Sequence, residues 1–97
     1  MGLDRAEKLY YGAAPLKKKT RDFFASLNMP LANVYGLSET SAAVTYQEFP
    51  HINLNRAGKT LPGTELKIFN PDEKGIGEIC IRGRHIFMGY LKNPEAT

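Results

Sequence analysis

Cysteine occurs once, at Cys80. No internal disulfide can form, no thiolate zinc cluster can assemble, and a lone thiol suits a reducing compartment. Long apolar runs are missing too, so no transmembrane helix is expected. No charged-then-apolar leader opens the chain, and no secretory signal is expected. Met1-Gly2 starts like a myristoylation site, but Ala6 stands where that signal needs Ser or Thr. Charge of one sign is also scarce: 13 Lys and Arg against 10 Asp and Glu leave a net +3. That mild bias suits a small anionic ligand and falls well short of a nucleic-acid footprint. Tyr10, Tyr11, Phe23 and Phe24 lack the spacing of an RNA-stacking motif, so no nucleic-acid partner is expected. His51 and His85 have no partner at metal spacing or in triad order, and both read as solvated loop residues.

What is present is a chain of 97 residues with ordinary apolar content, enough for one small domain or a piece of a larger one. Its most informative stretch is Val34-Tyr35-Gly36-Leu37-Ser38-Glu39-Thr40. An apolar strand runs there into a turn offering an aromatic ring, a hydroxyl and a carboxylate. An exposed ring can stack on a base, and Gly36 lets the backbone come close to a ligand. Ser38 can hydrogen-bond a phosphate oxygen, and Glu39 is a hard oxygen ligand of the kind Mg²⁺ takes beside phosphates. The same residues also read as an ordinary turn, with Ser38 capping a short helix and Glu39 in its first turn.

Leu9, Tyr10 and Tyr11 form a short strand closed by Gly12. Leu16, Thr20, Phe23, Phe24 and Leu27 recur at spacings of three and four, which predicts a helix over 16–27 with one buried stripe. Lys17, Lys18, Lys19 and Arg21 form its solvated faces. Asn28 and Pro30 end it, and Leu31 to Tyr35 is the next strand. Strand, helix and strand with short loops make a βαβ unit with parallel strands. Ligands gather at the carboxyl ends of such strands, where Gly12-Ala13-Ala14 and Tyr35 to Glu39 both sit.

Val44-Thr45-Tyr46 reads as a further short strand, and Gln47 to Arg56 as loop. Gly58-Lys59-Thr60 mimics the tail of a P-loop, but Asn53 stands where the required glycine belongs and the run before it is not strand-turn-helix, which excludes that reading. Pro62-Gly63 fits a type II turn. Thr64–Phe69 and Glu78–Arg82 alternate and predict an antiparallel hairpin with Leu66, Ile68, Ile79 and Ile81 inward. Cys80 falls on the opposite face as a structural residue. Ile86, Phe87 and Met88 read as packing, with Gly89 and Tyr90 turning the chain. Asn93-Pro94-Glu95 has the form of a helix start. The expected class is therefore α/β: a βαβ piece of a parallel sheet followed by an antiparallel β hairpin, with segments 1–55 and 56–97.

Several motifs in order carry a resemblance: Tyr11-Gly12-Ala13-Ala14-Pro15-Leu16, Tyr35-Gly36-Leu37-Ser38-Glu39-Thr40, Gly58 to Gly63, Gly77 to Gly83, and Gly89-Tyr90-Leu91-Lys92-Asn93-Pro94-Glu95-Ala96-Thr97. Together they resemble the middle of the adenylate-forming (AMP-binding) acyl-CoA synthetases, with Tyr35 to Thr40 and Ile86 to Leu91 most similar to the bubblegum-type long-chain enzymes. The resemblance implies ATP, AMP, Mg²⁺ and CoA, a fatty acid substrate, and conversion of that acid to acyl-CoA through an acyl-adenylate. It implies that Tyr35 stacks on adenine, that Gly12, Ala13, Ala14 and Gly36 border the nucleotide, that Ser38 touches the α-phosphate and that Glu39 holds Mg²⁺. Ser38 and Glu39 are thus the expected catalytic pair. Many members have Thr at the position of Ser38; the hydroxyl is kept, with a looser rotamer.

The family's phosphate loop, its ribose-gripping Thr-Gly-Asp and its C-terminal lysine match nothing here. The chain is expected to be an internal fragment that is inactive alone and completed by the missing segments of the parent enzyme. The alternative is a non-catalytic truncated product or interaction module. The resemblance also implies a cytoplasmic location, free or at the periphery of the endoplasmic reticulum or other endomembranes.

Overall fold

The computed structural model describes residues 2–97. Strand β1 (Leu9–Tyr11) leads through helix α1 (Lys18–Ser26) into β2 (Leu31–Leu37), which pairs parallel to β1 with Tyr11 opposite Asn33. This is the expected βαβ unit. The sheet then continues antiparallel, through β3 (Ala42–Tyr46) and the two-residue β4 (Lys59–Thr60), in the order β1-β2-β3-β4. Lys59–Thr60, within the segment where the resemblance implies a turn, therefore forms an edge strand. A Cβ on Gly58 would lie 2.0 Å from Tyr46 O, so only glycine allows that approach.

α1 is shorter than the predicted 16–27, and it stops by a specific device. Asn28 adopts a left-handed φ of 57°. Its N–H donates to Ala25 O at 3.0 Å, and Met29 N–H donates to Phe24 O at 3.0 Å. Those two bonds form a Schellman cap, one of the commonest ways a helix ends. The expected buried stripe is not buried: Phe23 is 57% exposed and no residue of α1 is fully covered.

The hairpin has the expected partners, β5 (Thr64–Phe69) against β6 (Glu78–Gly83), with Leu66 opposite Ile81 and Ile68 opposite Ile79. Leu61 O accepts from Thr64 N at 3.0 Å and Gly63 has φ +81°, which closes the Pro62-Gly63 turn as type II. Ile68 and Ile79 nevertheless remain exposed, because no layer lies over that end of the hairpin. Cys80 is exposed. The radius of gyration is 16.1 Å, against about 13 Å for a compact chain of 100 residues. Ala32 and Val44 are the fully buried apolar side chains among the described residues. No helix among those residues is long and apolar enough to cross a membrane.

The core centres on an irregularity. Between Tyr35 and Gly36 the β2–β3 register slips, so that Tyr35 faces Thr45 and Gly36 faces Ala43, and Val44 is passed over. Bulges of this kind bend a strand and re-aim side chains beside functional sites. Here the bulge fixes the tip of β2.

Candidate functional site

Parallel pairing brings two strand ends side by side. Beyond the Tyr11–Asn33 pair the chain continues as Gly12-Ala13-Ala14 next to Val34-Tyr35-Gly36, and a Cβ on Gly12 would sit 2.6 Å from Val34 O. Ala13 takes a positive φ of 67°, an uncommon conformation outside glycine, which turns the chain across the strand tip. These two tips border a hollow of about 550 Å³ that Arg21 of α1 and Leu54 to Ala57 also line. Tyr35 lines this hollow, as do Gly12, Ala13, Ala14 and Gly36.

An adjoining hollow of about 770 Å³ shares Gly12, Ala13 and Gly36 and is lined by Ser38, Glu39, Ala42 and Ala43. The structure therefore brings all the sequence-predicted site residues to one pair of neighbouring strand ends. Tyr35 lies on the first hollow, and Ser38 and Glu39 lie on the second.

Ser38–Thr40 form a single 3-10 turn whose cap position is Leu37, so Ser38 starts the turn instead of capping it. Buried Thr40 supplies the cap. Its Oγ1 accepts from Leu37 N at 3.0 Å and lies 2.9 Å from Leu37 O and Ala42 O, with one proton to give between them. Ser41 and Ala42 follow with φ of 51° and 102°, strained values for residues with a Cβ.

The turn is pinned from the far end of the chain. Phe87 N donates to Glu39 O at 2.8 Å, Ser41 Oγ donates to His85 O at 2.8 Å, and the Tyr90 hydroxyl donates to Glu39 Oε1 at 2.5 Å. His85, read as solvated, is instead half-buried, with its ring beside Gly83 and Nε2 enclosed and unpartnered among the described residues. Phe87 and Tyr90, read as packing and turn, carry these contacts. No local pattern announced them, since the partners are 44 to 51 residues apart in sequence.

The Tyr90 hydroxyl, followed by a hydrogen bond from its own backbone, holds the Glu39 carboxyl below its ordinary 4.5. The same side-chain bond, with desolvation and the Glu39 charge adding to it, raises the Tyr90 phenol above 10.0. A raised phenol contributes stability that is complete below the ordinary value and lost as pH rises through the raised one. A depressed carboxyl contributes stability present above 4.5 and lost as pH falls through the lowered value. The contact therefore persists between those limits. In a chain carrying ¹³Cζ-tyrosine, Glu39→Gln is expected to move the Tyr90 titration to lower pH; an unmoved midpoint would show that the pair does not form.

A family model described as AMP-binding enzyme matches residues 2–91. The long-chain-fatty-acid–CoA ligase ACSBG2 of Gallus gallus is 47% identical over all of this chain, and ACSBG1 of Homo sapiens is 44% identical. The chain spans only 13% of the length of each of these two. Among solved structures, a malonyl-CoA ligase with methylmalonyl-CoA and AMP bound superposes with a TM-score of 0.78 at 29% identity, covering 93% of this chain and 20% of that one. A long-chain-fatty-acid–CoA ligase from Archaeoglobus fulgidus gives 0.71 at 27%, covering 91% and 21%. With the match of 2–91 taking in both strand tips and the hairpin, this chain belongs to the AMP-binding enzyme family.

Proposed function

We propose that this chain is the nucleotide-binding slice of a long-chain fatty acid–CoA ligase, inactive until the remaining segments of such an enzyme complete it. In the parent reaction a fatty acid carboxylate oxygen attacks the α-phosphorus of ATP, the bond to the β-phosphate oxygen breaks, and pyrophosphate leaves. The CoA thiol then gives up its proton to solvent, its sulfur attacks the acyl carbonyl, the acyl C–O bond to the phosphate breaks and AMP leaves. Tyr35 stacks on adenine, Gly12, Ala13, Ala14 and Gly36 border the nucleotide, and Ser38 donates to the α-phosphate. These groups act by positioning and by stabilising developing charge.

Glu39 is the group that would hold Mg²⁺. No cluster of three or more His, Cys, Asp or Glu that could hold a metal occurs among the described residues. A single carboxylate fits a cation whose other ligands are phosphate oxygens and waters, and does not fit a protein cage. Bound there, Mg²⁺ would neutralise phosphate charge. A cytoplasmic setting, with peripheral attachment of the whole enzyme to endomembranes, belongs to the same reading.

The observation that carries the reading is the shared border of the two hollows by Gly12, Ala13 and Gly36. A non-catalytic interaction module is the second reading, favoured by the exposure of Phe23, Leu27, Phe69 and Ile79. AMP titration separates the two. With only one side of the site present, AMP is expected to bind in about the millimolar range. Tyr35→Ala should weaken that binding about tenfold or more through lost stacking. A chain with no AMP affinity would favour the module. With ATP, Mg²⁺, palmitate and CoA the isolated chain should form no acyl-CoA above a protein-free control.

A further inference from the structure

The Glu39 carboxylate is held by its own backbone and by a side chain from far along the chain. Oε1 is engaged by the Tyr90 hydroxyl at 2.5 Å. That hydroxyl is itself held in place: the Tyr90 ring meets Phe87 edge-on, with centroids 4.8 Å apart, and Tyr90 N donates to Thr97 Oγ1 at 3.0 Å. Phe87 N in turn donates to Glu39 O, so the backbone and the side chain of Glu39 are gripped by one short segment.

We propose that Tyr90 is a positioning residue for the cation site, fixing the Glu39 carboxylate through Oε1 so that the carboxylate is already oriented when it meets a divalent cation. A carboxylate on a freely rotating side chain loses rotamer entropy on capturing a metal, and a hydrogen bond already made removes part of that loss. The role rests on the reading of Glu39 as cation ligand given above. It adds a residue from the hairpin side of the chain. It also gives the long connection from β6 to Tyr90 a task beyond packing, since that connection delivers the hydroxyl to the turn.

ATP affinity of the 97-residue chain, followed by amide NMR, is measured with excess Mg²⁺ and again with EDTA. The ratio of the two isolates the metal-dependent part. Tyr90→Phe keeps the ring on Phe87 and removes only the hydroxyl, and is expected to lower the ratio about tenfold. Glu39→Gln should bring it to about one, because the charged ligand is gone. A purely structural weakening would lower both affinities and leave the ratio unchanged. In ¹³Cζ-tyrosine chain the Tyr90 resonance should shift when Mg²⁺ is added to the ATP complex. A ratio unaffected by Tyr90→Phe but abolished by Glu39→Gln overturns the positioning role and leaves Glu39 as ligand. A ratio unaffected by Glu39→Gln, or an unmodified chain that shows no metal-dependent binding, overturns the cation reading and the positioning role with it.

Discussion

Gly36→Ala is expected to lower the thermal unfolding midpoint by about 12–24 °C, the shift that corresponds to a loss of about 3 kcal/mol in a domain of this size. The added Cβ would fall 1.7 Å from Ala42 O, 2.6 Å from Ala42 C and 2.8 Å from Ala43 Cα, all backbone atoms. A flexible side chain could swing away, but this contact lies inside the β2–β3 ladder, between strands bonded at Gly36–Ala43 and Leu37–Ala42. Relief requires the strands to part where the bulge places Val44 in the core. With Ala32 and Val44 as the fully buried apolar residues among those described, little other packing holds the sheet. Gly63→Ala is the control. Gly63 has φ +81° but open space around its Cβ position, so only the conformational penalty applies, about 1 kcal/mol. Circular dichroism melts of the two variants should differ clearly; similar midpoints would mean that β3 shifts to accommodate the methyl group.

The elements that sequence reading recovered are those set by local chemistry. The Tyr11-Gly12 strand end, the Asn28 helix stop, the Pro62-Gly63 turn and the paired alternation of Leu66 and Ile68 against Ile81 and Ile79 each depend on residues within a few positions. What it misplaced depends on partners far along the chain. The helix stripe was legible as a stripe, but a 3.6-residue period says only which face wants cover, and Phe23 and Leu27 remain exposed. β4 was hidden because two residues carry no period, and the reason they pair is the space beside Tyr46 that Gly58 leaves.

The site divides along the same line. Gly12, Ala13, Ala14, Tyr35, Gly36, Ser38 and Glu39 were all visible as strand-end residues, since a βαβ unit forces both ends to one edge. Thr40 was visible only as the end of the motif, although its burial and its bonds shape the turn that presents Ser38 and Glu39. The slip that bends β2 lies opposite a small-residue run, and only the Gly36 backbone contact reveals why the run is small. Tyr90 was beyond reach because its partner is set by the docking of the hairpin side onto the turn.

Gln47 is the residue most underrated by its sequence context, and Gln47→Met is expected to cost about 2–4 kcal/mol and to abolish AMP binding. It begins the stretch read as loop, yet it is 4% exposed. Its Oε1 accepts from Asn33 N at 2.9 Å, and its Nε2 donates to Arg56 O at 2.8 Å and to Asn53 O. Gln47 N also donates to Asn33 O at 3.0 Å. One amide group thus ties β2 to the segment carrying Leu54 to Ala57, which lines the same hollow as Tyr35. Methionine matches the shape and can make none of the side-chain bonds, so Asn33 N and two carbonyls would be left unpaired in a partly buried place. The segment is then free to swing out, and the hollow loses that lining while β1, α1 and β2 stay folded. Two measurements check this together. Hydrogen exchange should speed up at Asn33, where the protecting acceptor is removed, but not at the mid-helix amides of α1. AMP titration should lose its response. Exchange that quickens across α1 and β2 alike would mean that Gln47 supports the whole sheet instead of one side of the cleft.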